Sequence, residues 1–591
     1  MSSSFQPFLR RSAAVFALLI LGACAQLPQN VERPVSTAIA APATGTALAD
    51  LVQQRRQADK ARYESGFLLL GGPQAAYGSR LALIDGAQKT LDLQYYAIHA
   101  DASTGRLMRG LRTAAERGVR VRVLLDDFHT TGRDALVLGL AFIPNIEMRL
   151  FNPLAGSRDS TFSRLFNSID DASRIQQRMH NKLFLADNVL AVAGGRNLGD
   201  AYFGNAATGN FVDVDVLAAG PIVQDLSRSF DSYWNNERAY PVQSLVTREE
   251  MQALRDRSKK ADQELVAQAS RDTDDKPSED APPTAEQRAR VWDEKALDLR
   301  TATFVWAPAV MLADKPGKIA ADSGPDTDKA PGLVVSQPDD KASTSPRVAS
   351  LEAASDLAAN GDTVVEGLLQ MIGQARSDLL IISPYFVPGK DMLQAFSAAR
   401  ARGVRIRVLT NSLASNDAPV AHVGYARHRE ALLKMGIELY ELRSEQTSFG
   451  SVFGSTGSSG GGSGGGSAAR AGGTGSGSLT GASRAMLHSK VLVMDGRLLV
   501  VGSMNLDLRS QLQNTEIALL IRSAELSRAA SAQIERGMAE RSWHVELVDG
   551  ALVWRAPKDS QLPDATTEPD TSATLRLMLK LFGPLAPDEL L

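Results

Sequence analysis

Cysteine is almost absent from this sequence, because Cys24 is the only one among 591 residues. A lone cysteine excludes an intramolecular disulfide framework and any zinc or iron–sulfur site built from several cysteines. An excess of one charge is also lacking, since 64 basic and 67 acidic side chains leave a formal net charge of −3. Proteins that hold nucleic acid commonly present a strongly basic surface, so we expect no nucleic acid partner.

Long apolar runs are missing as well, and a membrane-spanning helix requires about 20 apolar residues. A shorter apolar run covers residues 13–21, follows Arg10 and Arg11, and leads through small residues to Cys24. A basic region, a short apolar run and a small-residue site form the pattern of a secretory signal peptide. We therefore expect residues 1–23 to be a signal peptide.

The last four residues of this segment, LGAC at 21–24, resemble a bacterial lipobox, in which the cysteine is lipidated and becomes the mature N-terminus. The resemblance implies acyl chains on Cys24 and a lipid-anchored, periplasm-facing protein of the bacterial cell envelope. Ala25 after the cysteine favours the outer membrane by analogy. The alternative is an ordinary cleaved signal peptide in which Cys24 is incidental.

Two segments of the sequence are alike and indicate a duplicated unit. AAERGVRVRVLLDD lies within residues 113–127, and AARARGVRIRVLTNS lies within residues 397–412. Each indicates the end of an amphipathic helix, a turn glycine and then a strand. Further strand candidates flank the two segments, at 91–98, 146–150, 379–386 and 437–442. Strands that alternate with helices predict α/β units around a sheet, here in two copies.

Composition predicts how the chain is divided. We expect a flexible segment at 24–60, a first α/β domain at 61–245, a charged, proline-rich linker at 246–350 with a docked segment near 303–312, and a second α/β domain at 351–591. Within the linker, residues 255–290 and 312–350 are rich in Asp, Lys, Ser, Pro and Ala and have too little apolar surface to offset their ordering entropy, so we predict that much of these two stretches is flexible. The second domain contains a Gly/Ser-rich insertion at 444–483, which is typical of a flexible loop.

The same pattern of polar residues occurs once in each half, within residues 174–201 and residues 482–509. Each copy reads His-x-Lys-x4-Asp, and six residues separate the aspartate from a Gly-Gly or Gly-Ser pair that an asparagine follows. With residue frequencies near 1 in 20, one accidental His-Lys-Asp match among the histidines has a probability of roughly 2%. The two copies consist of His180, Lys182, Asp187, Gly194, Gly195 and Asn197, and of His488, Lys490, Asp495, Gly502, Ser503 and Asn505.

The residue types in this pattern suit phosphate chemistry. A histidine and a lysine two residues apart on a strand project from the same face, because side chains alternate between faces. Lysine binds phosphate as a point charge, and two histidines can share the roles of nucleophile and general acid. The glycines permit close backbone approach, and an asparagine amide can stabilise an oxyanion. The duplication therefore predicts a pocket with two imidazoles and two ammonium groups.

This arrangement resembles the phospholipase D superfamily, whose members carry two such His-Lys-Asp motifs. Other segments are similar to its bacterial cardiolipin synthase C type, namely DLQYYAI at 92–98, FNPL at 151–154, SPYFVPG at 383–389 and GYARHR at 424–429. The resemblance implies an α/β fold in which two tandem phospholipase D-like α/β/α sandwich domains form one pseudo-twofold active site. It also implies chemistry that needs no cofactor and no metal.

The resemblance assigns a role to each motif residue. His180 attacks phosphorus and forms a covalent phosphohistidine, while His488 protonates the leaving oxygen and then activates the acceptor; the reverse assignment is the alternative. Asp187 and Asp495 orient or stabilise the imidazoles. The phosphate oxygens are held by Lys182, Lys490, Asn197 and Asn505, with Gly195 and Ser503 beside them.

The implied activity is transfer of a phosphatidyl group between phospholipids at a membrane surface, which produces cardiolipin. A hydrolytic phospholipase D, with water as the acceptor, is the main alternative, and a superfamily endonuclease or an inactive scaffold are others. Asp213 and Glu516 follow the two motifs and have two interpretations: they orient the catalytic histidine of the opposite half, or they are ordinary strand-end charges. The remaining candidates are interpreted as structural or substrate-rim histidines: His99, His129, His422 and His428.

Overall fold

The computed structural model describes residues 27–39, 45–158, 164, 172–207, 209–269, 283–319, 332–338, 345–444 and 484–582. The expected signal peptide, Cys24 and residues 445–483 of the Gly/Ser-rich insertion lie outside the described residues. No helix within these described ranges is long and apolar enough to cross a membrane.

The first half alternates strands with helices. Its helices are α1 (Ala47–Ala58), α2 (Pro73–Gly86), α3 (Ala102–Glu116), α4 (Ala172–Gln176), α5 (Ile222–Trp234), α6 (Arg248–Ala269) and α7 (Ala285–Asp293). Its strands are β1 (Gly66–Leu70), β2 (Thr90–Tyr95), β3 (Arg120–Asp126), β4 (Ile146–Phe151), β5 (Leu183–Ala186), β6 (Leu190–Gly194), β7 (Gly209–Val212), β8 (Asp215–Ala219) and β9 (Ala239–Pro241). Short 3₁₀ helices lie at Asp134–Phe142, Asp200–Tyr202 and Val242–Ser244.

The second half repeats the alternation. Its helices are α8 (Pro346–Ala358), α9 (Val364–Ile372), α10 (Lys390–Ala401), α11 (Pro419–Lys434), α12 (Leu508–Leu512), α13 (Ala524–Arg541) and α14 (Ala573–Phe582), and a 3₁₀ helix lies at Pro316–Lys318. Its strands, counting on from the connecting segment, are β10 (Val305–Trp306), β11 (Ala309–Asp314), β12 (Leu333–Val335), β13 (Asp378–Ile382), β14 (Phe386–Val387), β15 (Arg405–Asn411), β16 (Glu438–Leu442), β17 (Arg484–Leu487), β18 (Val491–Met494), β19 (Leu498–Gly502), β20 (Leu506–Asp507), β21 (Ile517–Arg522), β22 (Ser542–Val548) and β23 (Ala551–Arg555).

Two large mixed sheets share one strand order. The first contains β1-β8-β6-β5-β2-β3-β4, and the second contains β11-β21-β19-β18-β13-β15-β16 in the matching positions. In both sheets the last three strands of the series run parallel and the others pair antiparallel. Strands β10 and β9 extend the first sheet at its two edges, and β12, β22 and β23 extend the second. The duplication seen in the sequence is therefore a duplication of topology.

Apolar sequence explains why the motif strands lie at the centre. The runs LFLA in β5 and LAVAG in β6 are buried on both faces, as are VLVM in β18 and LLVVG in β19. Helices α2 and α3 cover one face of the first sheet and α5 covers the other; α9, α10 and α13 cover the second sheet in the same way. The expected pair of α/β/α sandwiches is confirmed.

The two halves share a core and exchange backbone hydrogen bonds. One hydrophobic cluster contains Leu183 of β5 together with Val491 of β18. Strand β7 pairs in parallel with β17, so the segment before one motif lies beside a segment of the opposite half. The amide of His488 donates to the carbonyl of Val212 at 2.9 Å, and the amide of His180 donates to the carbonyl of Thr515 at 3.0 Å. Each motif histidine is therefore fixed by the other half.

The predicted flexible segment at 24–60 contains a helix, and the linker begins with a helix that the sequence did not predict. Within 24–60, the helix α1 buries Leu48 and Val52 against the first domain, because its apolar residues recur at helical spacing. Within the linker at 246–350, α6 buries Met251 and Leu254. The docked segment near 303–312 consists of two strands, of which β10 joins the first sheet and β11 joins the second.

Candidate active site

Each motif histidine lies directly before a central strand. His180 and Lys182 precede β5, and His488 and Lys490 precede β18. The ammonium of Lys182 donates to the carbonyl of His180 at 2.7 Å, and that of Lys490 donates to the carbonyl of His488 at 2.6 Å. Both pairs therefore lie in the short segment before the strand, whereas the sequence predicts them within the strand itself.

The histidines form two reciprocal pairs with acids. Nδ1 of His180 lies 3.0 Å from both carboxylate oxygens of Glu516, and Nδ1 of His488 lies 2.7 Å from Oδ2 of Asp213. Glu516 belongs to the second half and Asp213 to the first, so each imidazole contacts an acid of the opposite half. This geometry agrees with the interpretation that Asp213 and Glu516 orient the histidine of the opposite half. All four side chains are buried.

The two acids differ in their other contacts. Glu516 accepts hydrogen bonds from the hydroxyls of Ser503 and Ser510 in addition to His180. Asp213 accepts from the backbone N–H of Val214 at 2.8 Å and lies against Gly195, where an added Cβ would be 2.5 Å from Oδ1. Gly195 and Ser503, which the sequence places beside the phosphate, thus contact the acids that hold the histidines.

Burial makes both imidazoles weak bases. It lowers the pKa of His180 to about 4, a shift that Glu516 opposes and Lys182 reinforces. Burial also lowers the pKa of His488 well below its ordinary value, and Lys490 reinforces that shift. Both rings are therefore neutral near pH 7. Where Nδ1–H donates to a carboxylate, Nε2 keeps its lone pair.

The acids and lysines around the rings are shifted by the same burial. Burial raises the pKa of Glu516, but its hydrogen bonds with His180 and Ser503 and the charge of Lys182 outweigh burial and hold that pKa at about 2. For Asp213 burial prevails and its pKa is raised. Burial lowers the pKa of Lys182 to about 7 and that of Lys490 to about 8. An anion bound between these lysines would favour their charged form.

Both histidines open onto one cavity of about 1460 Å³, which is lined by residues of both halves. The motif asparagines lie in its wall. The amide of Asn197 is already engaged, since its oxygen accepts from the N–H of Ala97 at 3.2 Å and its nitrogen donates to the hydroxyl of Tyr202 at 3.0 Å. The amide oxygen of Asn505 is buried and lacks a hydrogen-bond partner among the described residues.

Comparison with known proteins decides the family. The family described as "Cardiolipin synthase, PLD-like domain" matches residues 81–234, 368–455 and 470–538. Cardiolipin synthase C of Escherichia coli is 33% identical over 524 residues, which cover 87% of this chain and 94% of that protein. The chain belongs to the phospholipase D superfamily. It stands among the phosphatidyltransferase enzymes of phospholipase D type.

Other relatives extend the same likeness. An uncharacterized protein of Helicobacter pylori strain 26695 is 30% identical over 516 residues, covering 86% of each chain. Cardiolipin synthase 2 of Staphylococcus epidermidis is 21% identical over 444 residues, covering 75% of this chain and 62% of that protein.

The third residue of each phospholipase D motif has a different place from the one expected. Asp187 does not contact a histidine; its carboxylate accepts from the backbone N–H groups of Gln88, Lys89 and Thr90. Asp495 makes the corresponding contacts with the N–H groups of residues 376–378. Both aspartates have positive φ, of 50° and 53°, in the turn after the motif strand. The prediction that they orient the imidazoles is wrong, because this turn lies at the far end of a four-residue strand.

Aromatic side chains complete the phospholipase D site and were not singled out from the sequence as contacts of the histidines. The ring of Tyr96 lies edge-on to His180, with centroids 5.1 Å apart. Tyr202 and Phe211 pack on His488, at 5.3 Å and 5.1 Å. The other candidate histidines lie in two places. His99 and His129 line the cavity, and His422 and His428 lie on α11. No residue pattern at sequence level links Tyr96 or Phe211 to a particular imidazole.

Proposed function

We propose that this enzyme transfers a phosphatidyl group from one phospholipid to an alcohol of another, producing cardiolipin through a phosphohistidine intermediate. The observation that carries the proposal is the reciprocal arrangement in which each half supplies a histidine and the acid for the other half's histidine. The similarity to a cardiolipin synthase over most of both chains supports the lipid product.

In the first step, Nε2 of His180 attacks phosphorus and the bond from phosphorus to the leaving oxygen breaks. The proton that neutralises the leaving oxygen comes from Nε2 of His488, which gains it when the anionic phosphate binds beside the ring and raises the pKa of this imidazole. Support for His180 as the nucleophile comes from Glu516, whose three side-chain partners keep it ionised and able to accept Nδ1–H. The raised pKa of Asp213 makes that acid the weaker acceptor beside His488.

In the second step, the acceptor alcohol attacks the phosphohistidine from the side that the first alcohol has left. His488 now takes the proton of that alcohol, and the bond between phosphorus and Nε2 of His180 breaks. Lys182 and Lys490 compensate the charge of the non-bridging oxygens, together with the amide of Asn505. The cavity exceeds the volume of about 300–1,000 Å³ typical of small-molecule sites, so it has room for a lipid headgroup and an acceptor.

The place of this chemistry is also part of the proposal. We propose that Cys24 carries the acyl chains of a bacterial lipoprotein and that the enzyme acts on the periplasmic side of the cell envelope. Mass spectrometry of the mature N-terminal peptide tests this directly. Acyl chains on Cys24 would support the anchor, and an unmodified peptide that starts elsewhere would contradict it.

The product test uses the purified enzyme with labelled phosphatidylglycerol, with and without phosphatidylethanolamine. We expect labelled cardiolipin, and the His180→Ala variant should form none. Phosphatidic acid as the main product would instead show that water is the acceptor. Products from DNA but not from lipid would contradict the proposal altogether.

A further inference from the structure

Helix α14 presents an apolar surface to solvent. Leu577, Met578 and Leu581 are 58%, 53% and 62% exposed. Solitary exposed apolar residues are ordinary on protein surfaces, but three within five residues form a patch. Leu575 and Leu579 of the same helix are half-buried, so its apolar arc is wider than the side that faces the protein. Part of this arc is therefore left without a covering group in the described structure.

The helix also carries positive charge next to the apolar patch. Arg576 and Lys580 are one helical turn apart and lie on the side of the helix between its half-buried and exposed leucines. Arg576 also donates to the carbonyl of Thr571 at 2.6 Å, which fixes the first turn. An apolar arc beside exposed positive charge, here that of Lys580, is the pattern of a helix that lies in the interface of an anionic membrane.

Helix α14 is attached to α11, and the first turn of α11 lines the active-site cavity. The helix packs against α11, and the segment before it is held there by Glu568, which accepts from Arg429 at 2.9 Å and lies 3.2 Å from Nε2 of His422. Both of these α11 residues follow Pro419, whose turn lines the cavity. The apolar surface of α14 is therefore carried by a helix fixed to an element of the cavity wall.

We propose that α14 docks on the surface of an anionic phospholipid bilayer, with Leu577, Met578 and Leu581 inserted and Lys580 against the headgroups. A second copy of this chain is a poorer occupant, because a twofold contact between copies would bring like charges of the two helices together. The identification of the partner as a bilayer rests on the proposed function. The exposed apolar surface of α14 is observed independently of that function.

The test measures binding to vesicles, with the chain from residue 25 onward, which keeps every described residue and lacks Cys24. Flotation is measured with two kinds of vesicle. One is phosphatidylcholine alone, and the other contains roughly one third phosphatidylglycerol, which supplies negative surface charge. We expect binding to the anionic vesicles to fall at least about tenfold in the variant Leu577→Ser, Met578→Ser, Leu581→Ser. In Lys580→Glu we expect binding to the anionic vesicles to fall about fivefold, with no change in binding to vesicles of phosphatidylcholine alone.

The matched control replaces three exposed apolar residues elsewhere, Val35→Ser, Val334→Ser and Val548→Ser, and should bind like the unmodified chain. Equal binding by the α14 variant would overturn the proposal, and so would a dimer in gel filtration that only this variant dissociates. Turnover of a soluble short-chain phospholipid should be unchanged in the α14 variant, which shows an intact fold. If the unmodified chain floats but acts on no phospholipid, the proposed function fails and the docking surface stands.

Discussion

At the residue scale, the orientation of each imidazole depends on one carboxylate of the opposite half. In Glu516→Gln the amide nitrogen can no longer accept Nδ1–H of His180, and the hydroxyls of Ser503 and Ser510 lose an ionised acceptor. We expect kcat for lipid transfer to fall about a hundredfold or more, with little change in KM. The control is Glu438→Gln, which removes a half-buried acid that is paired with Arg405, outside the residues of the site, and should leave kcat unchanged.

Substitution of the motif aspartates should affect stability more than catalysis, because their carboxylates accept hydrogen bonds from backbone N–H groups and do not contact an imidazole. Asp187→Asn leaves N–H groups of residues 88–90 with a weaker acceptor, so we expect the free energy of unfolding to fall by about 1–3 kcal/mol. The kcat of the folded enzyme should fall less than tenfold. Urea unfolding and steady-state kinetics measure the two effects. A loss of kcat as large as that in Glu516→Gln, at unchanged stability, would show that Asp187 acts on the histidine after all.

The pKa values predict the pH dependence of kcat/KM. His180, with a pKa of about 4, gains a proton and loses its nucleophilic lone pair only below that pH. Lys182 and Lys490, with pKa values of about 7 and about 8, lose their charge as the pH rises through this range and then bind phosphate less well. We therefore expect a maximum between about pH 5 and about pH 7 with a soluble short-chain phospholipid. An acid limb near the ordinary histidine pKa would contradict the buried, neutral imidazole.

At the scale of elements, the turn after β6 brings the backbone of Gly195 against the carboxylate of Asp213. In Gly195→Ala the new Cβ would lie 2.5 Å from Oδ1 of Asp213, so this acid must move away from His488. We expect at least about a tenfold loss of kcat with the secondary structure retained. Gly105→Ala in α3 is the control, since nothing lies within 4 Å of its Cβ; it should keep kcat and add about 0.5–1 kcal/mol of stability. Normal kcat in Gly195→Ala would show that the close approach has no role.

The sequence predicts some elements well and others poorly, for reasons that differ. Strands β3 and β15 follow the turn glycines Gly118 and Gly403 as predicted, because apolar alternation and a glycine are local signals. Helix α6 was missed, because its many charged residues mask the few apolar ones that it buries. The linker strands β10 and β11 were expected only as one docked segment, since their pairing partners are remote in sequence.

At the scale of the whole molecule, the active site exists only where the two halves meet. The motif residues His180, Lys182, His488 and Lys490 are visible in the sequence because the motif repeats. The acids Glu516 and Asp213 could not be assigned in advance, since they act across the interface on histidines 336 and 275 residues away. Only the reciprocal pairing of β7 with β17, and of residues 179 and 515, brings them to the rings.

The central claim is that this shared site transfers a phosphatidyl group through a phosphohistidine on His180. The most direct measurement is acid quenching of the enzyme during turnover of a phospholipid labelled in its phosphatidyl group, followed by mass spectrometry of the labelled peptide. We predict label on His180, none in His180→Ala, and accumulation in His488→Ala with a substrate whose leaving group needs no protonation. Label on His488 but never on His180, or turnover without any labelled histidine, would contradict the account.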